Sequence, residues 1–149
     1  MDTKQALQDA LKEAMRRGDD VRKRNIRQVL AAVKLAEVEK GGALDELGLM
    51  ALLQKEIKSR RESIQDALKA NRPDLVAESD ADIAVLESFL PKGLSPEELL
   101  ALAREVIAEV GAKSPADMGK VMKVLLPRLQ GRAPGDQASQ AVRQLLQNP

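Results

Sequence analysis

The 149-residue chain contains no cysteine, no histidine, no tryptophan and no tyrosine, and Phe89 is its one aromatic residue. Each absence removes a class of function. Without cysteine there is no disulfide framework, thiolate nucleophile or thiolate-ligated zinc. Without histidine the commonest general base and the commonest nitrogen ligand for metals are both missing. Chemistry would have to rest on carboxylates, lysine or serine, so the expectation is a chain with no catalytic residues, no cofactor and no metal. No apolar run is long enough for a membrane span. The opening stretch MDTKQALQDALKEAM carries acids throughout, unlike a secretory signal. Together these point to a soluble cytoplasmic protein with no membrane partner.

What remains is charge and helix. The formal net charge is +1, unevenly spread. Residues 12–34 hold eight basic and three acidic groups, a local +5. Residues 73–90 hold five acids and no base, and residues 93–112 set Arg104 against four glutamates. Residues 113–149 hold six bases against Asp117 and Asp136, a local +4. Such alternation marks solvated faces and segments that dock on one another.

Every periodic segment has the helical spacing, and no strand pattern occurs. Leu7, Ala10, Leu11, Ala14 and Met15 share one face of a first helix, with Asp2 and Gln5 as a capping box and Gly18 at its end. Asp19 or Asp20 caps a second, whose stripe is Ile26, Val29, Leu30, Val33 and Ala36. A third runs from near Asp45 to about Asn71, long enough to overhang a small bundle. A fourth starts at Pro73 and ends before Pro91. In LSPEEL, Ser95, Pro96 and Glu98 form the clearest cap in the chain. Ser114, Pro115 and Asp117 repeat it, and a last helix follows Asp136. The fold class is therefore all-α, with a four-helix N-terminal domain over residues 1–92 and a smaller three-helix domain over residues 93–149.

Two constellations are candidates for function. After Ser114, the stripe Met118, Val121, Met122, Leu125 and Leu129 predicts a helix whose opposite face carries Lys120, Lys123 and Arg128. Arg132 lies in the turn beyond it and Lys113 just before it. A cationic surface with almost no countercharge binds polyanions by counterion release. The lack of aromatics excludes a stacking platform for single strands, which leaves backbone and shape recognition of folded RNA. The plainer reading is an ordinary lysine-rich solvated face. In the third helix, Glu56 and Arg60 fall at i, i+4 within the stripe Leu49, Leu53, Ile57, Ile64 and Leu68. With Arg61 they suggest a partner or interdomain contact, against the alternative of a helix end that is simply wet. The acids Asp74, Glu78, Asp80, Asp82 and Glu87 lack a convergent basic or metal-ligand pattern and read as a solvated face.

The segments ESFLPKGLSPEEL, DMGKVMKVLLPRLQGRAPGD and LQKEIKSRRESI resemble the YqeY-like (GatB/YqeY) family over nearly the whole chain. The C-terminal part resembles the helical tail domain of the GatB component of glutamyl/aspartyl-tRNA amidotransferases, through Met118 to Met122, Gly131-Arg132-Ala133 and Asp136. The resemblance implies a two-domain helical accessory protein whose tail-like part binds tRNA, with Lys120, Lys123 and Arg132 on the backbone. Arg128 rests on the charge argument. Amidotransferase subunits or another translation protein are the implied protein partners, and an adaptor role is the alternative function. Family descriptions attach glutamine-dependent carbon–nitrogen ligase activity, but the chain has no Ser-Ser-Lys amidase arrangement and no Gly-rich phosphate loop.

Overall fold

The structure is a computed structural model, and it describes residues 2–147. The terminal residues 1, 148 and 149 of the two expected domains lie outside that range. The described residues form helices and no strands: α1 (Thr3–Arg17), α2 (Asp20–Lys40), α3 (Glu46–Lys69), α4 (Pro73–Glu87), α5 (Pro96–Val110), α6 (Met118–Leu129) and α7 (Gly135–Gln147). A 3-10 turn, Pro115–Asp117, precedes α6. The all-α expectation holds. By contact the chain separates into two compact units, Met1–Leu90 and Pro91–Pro149.

In the first unit, α1 packs against α2, and α3 packs mainly against α4. Its core joins Leu7 of α1, Ile26, Val29 and Val33 of α2, Leu49, Leu53 and Ile57 of α3, and Ile83 and Leu86 of α4. The helix starts follow the sequence signals. Asp19 accepts from the Arg22 amide at 3.1 Å, and Asp45 accepts from the Gly48 amide at 2.7 Å. At α1 only half the box forms: Asp2 accepts from the Gln5 amide, while the Gln5 side chain donates to Asp9 instead. Gly18 ends α1 at φ 69°, a left-handed position that suits glycine.

Two residues expected on inner stripes face outward. Met15 is 53% exposed, and Leu68 is 58% exposed while neighbouring Ala67 is buried. Both sit in the last turn of their helices, where the apolar period outruns the neighbour available to cover it.

In the second unit, Leu99, Ala103 and Val106 of α5 meet Val121, Leu125 and Leu129 of α6 and Ala138, Val142 and Leu146 of α7. The Ser95–Glu98 capping box forms in both directions at 3.1 Å. The second cap falls on the expected residues, Ser114, Pro115 and Asp117. Asp117 accepts from the Lys113 and Ser114 amides, but it closes the 3-10 turn, and α6 starts only at Met118. Helix α7 begins at Gly135, one residue before Asp136, which lies in its first turn.

Candidate nucleic-acid interface

Helix α6 buries Val121, Leu125 and Leu129 and turns Lys120 and Lys123 to solvent. Taking about 100° per residue, those lysines stand roughly opposite the buried stripe. Neither makes an ion pair among the described residues. Asp117, one turn before Lys120, is lowered in small part by the charge of that lysine. Lys113, also exposed, commits only its backbone amide to Asp117. Two amides, from Lys113 and then Ser114, hold the Asp117 carboxyl below its ordinary range. That carboxylate is used as a cap, which leaves the three ammonium groups open to solvent.

The two arginines are placed differently. Arg128 does not share the lysines' outer face. It lies eight residues beyond Lys120, about 80° round the helix and beside the buried stripe. From there it forms a two-pronged pair with Glu109 of α5, at 2.9 and 2.5 Å. That hydrogen-bonded pair lowers the Glu109 carboxyl and raises the Arg128 guanidinium from their ordinary values. Arg132 donates through Nε to the Lys92 carbonyl at 2.9 Å and reaches Glu98 at 3.9 Å. Its own carbonyl accepts from the Leu94 amide. Arg132 thus ties the turn after α6 to the segment leading into α5. The expectation of a surface with almost no countercharge is corrected on this point: Glu109 pairs closely with Arg128 and Glu98 stands near Arg132, and the lysines remain.

The second constellation is an internal network. The Arg60 side chain is only 12% exposed. It donates to the Glu56 carboxylate at 2.9 Å, to Gln28 at 2.8 Å and to Asn25 at 3.3 Å. Asn25 is fully buried and donates to the Val21 carbonyl and to Asp82. Asp82 also receives Arg24 at 2.8 Å. One polar chain therefore runs through α2, α3 and α4. Arg61, on the exposed side, pairs with Glu87 of α4 at 3.0 Å. The acidic segment of α4 is thus met by Arg24 and Arg61, a convergence that sequence spacing alone did not show. Asp74 is held by Arg72, whose hydrogen bond lowers its carboxyl from the ordinary range. Among the described residues no group of three acids could hold a metal ion, and no helix is long and apolar enough to cross a membrane.

Comparison with known proteins adds two findings. The family described as Yqey-like protein matches residues 4–146. The curated proteins similar to the chain include "Altered inheritance of mitochondria protein 41, mitochondrial" from three yeasts. The Lachancea thermotolerans protein is 34% identical over 119 residues, covering 78% of this chain and 64% of the relative. The Kluyveromyces lactis protein is 35% identical over 115 residues, covering 74% and 62%. The Vanderwaltozyma polyspora protein is 34% identical over 96 residues, covering 62% and 52%. The chain spans about half to two thirds of the length of these relatives. The expectation of a cytoplasmic location is overturned here, because the relatives are named as mitochondrial proteins.

Proposed function

The chain belongs to the Yqey-like protein family, and from that membership and the layout of its charges we propose a non-catalytic accessory protein of translation that binds folded RNA, tRNA above all. Lys113, Lys120 and Lys123 are the backbone contacts. The observation that carries the reading is the division of labour around α6: Arg128 and Arg132 engage Glu109, Glu98 and a carbonyl, while these three lysines are exposed and make no ion pair among the described residues. Ammonium groups on a helix whose opposite side is locked into an apolar core are suited to phosphates at fixed spacing, without base readout. Phe89 is the only aromatic ring in the chain and carries Arg22 over its face at 5.1 Å, so base stacking supplies nothing. Arg128 and Arg132 shape the scaffold under the lysines, and Arg132 adds residual charge at its edge.

A gel-shift experiment with transcribed tRNA tests this. Wild type is expected to retain tRNA at low salt and release it steeply as salt rises. Changing Lys113, Lys120 and Lys123 together to Glu is expected to abolish retention with helicity unchanged by circular dichroism. Salt-insensitive binding, or a triple variant that still binds, contradicts the proposal.

A further inference from the structure

The outer face of the α1–α2 hairpin carries a pattern that RNA binding leaves unexplained. Ala31, Leu35 and Val38 recur at i, i+4 and i+7, on the side of α2 opposite Ile26, Val29 and Val33. Leu35 is 61% and Val38 71% exposed, so the chain's own core leaves them uncovered. Beside them on the α1 side stand Arg27 and Lys34, both exposed and without an ion pair among the described residues. Arg27 reaches the sulfur of Met15 at 3.9 Å, which brings that exposed α1 side chain to the same border. Lys4, Lys34, Val38 and Ala43 line a shallow depression at the end of the stripe, where Lys4 is already paired with Glu37.

We infer that this face is a docking surface for an acidic amphipathic helix of a partner protein, with Leu35 and Val38 taking its apolar side and Arg27 and Lys34 its carboxylates. The charge decides the chemistry of the partner. Among the described residues the cations on this border have no internal counterion, while Glu37 is engaged by Lys4 and by the Leu44 amide. Sugar–phosphate would satisfy the cations but leave Leu35 and Val38 facing water, whereas an amphipathic helix satisfies both. A second copy of the chain fits less well. The stripe from Ala31 to Val38 is only about 10 Å long, against roughly 800 Å² buried by each side of a stable dimer. In antiparallel order, Arg27 and Lys34 would also meet their own counterparts.

The test uses the full chain, labelled with nitrogen-15, titrated with a synthetic 18-residue helical peptide bearing leucines at i, i+4 and i+7 and glutamates along the flank. Amide shifts are expected to centre on residues 27–38 and Met15. Affinity is expected to fall at least tenfold for a peptide with glutamine in place of glutamate, and likewise for Lys34→Glu or Leu35→Ser, with tRNA retention unchanged. Shifts elsewhere or none overturn the inference, as does equal binding of the glutamine peptide. Two further results would also overturn it: tighter saturable binding of the same face to phosphatidylglycerol vesicles, or concentration-dependent dimerisation that Leu35→Ser removes.

Discussion

The two units use charge in opposite ways. The N-terminal unit takes polar groups inside: Asn25 is fully buried, Thr3 nearly so, and Arg60 links α2 to α3. Its basic α2 and acidic α4 are joined across space by Arg24–Asp82, and α3 meets α4 through Arg61–Glu87. The C-terminal unit keeps its described core wholly apolar and places its ion pairs at the rim. The difference separates the two jobs that a charged residue can do. Buried and partnered, it fixes which helix lies against which and in what register. Left on the outer side of a helix with nothing opposite, as Lys120 and Lys123 are, it is available to another molecule.

Five variants probe that contrast, in descending order of effect. Leu125→Ala in the apolar core is expected to cost about 2–5 kcal/mol in urea unfolding, the usual range for a buried leucine cavity. Asn25→Ala is expected to cost about 1–3 kcal/mol, since it strips Asp82 and Arg60 of a partner inside the unit. The double change Asn25→Leu with Arg60→Met should unfold at higher urea than Asn25→Ala, because an apolar replacement leaves fewer buried groups unsatisfied. If the double variant is the less stable, the network is a source of stability and not of register.

Acidification has a smaller effect. Glu98 is held below its ordinary value, first by the Ser95 amide and then by the Ser95 hydroxyl, and Glu109 by Arg128. A depressed folded-state pKa contributes stability above the unfolded value, near 4.3 for glutamate, and loses it as pH falls through the folded value. Thermal unfolding of Glu98→Gln should therefore lose part of the acid sensitivity that wild type shows below about pH 4.5. Smallest of all, Arg128→Ala is expected to leave both the melting temperature and tRNA retention nearly unchanged, because an exposed pair contributes little. A large loss of tRNA retention would place Arg128 among the RNA contacts.

Much of the fold was legible because its signals are local. Ser95 and Glu98 are three residues apart, Asp45 and Gly48 likewise, and a cap reads the same in a sequence as in space. The buried stripes of α2 and α6 were equally plain, since a helical period names a face. It does not name what covers that face, which is why Met15 and Leu68 ended outside the core. Nor does it find partners distant in the chain. Glu109 lies 19 residues from Arg128, and Asp82 lies 58 from Arg24. The five cations expected to share one surface thus divided into three free lysines and two engaged arginines only in three dimensions. Leu35 and Val38 were missed for a related reason: they stand outside the inner stripe and form a short outer one of their own.

The most direct measurement is the salt dependence of tRNA affinity for wild type and for the variant with Lys113, Lys120 and Lys123 changed to Ala. Three phosphate contacts correspond to a slope of log affinity against log salt of about 2 to 3. The wild-type slope is expected to fall by that amount in the triple variant, with Arg128→Ala leaving it unchanged. A slope that survives loss of the lysines and disappears with the arginine would contradict this.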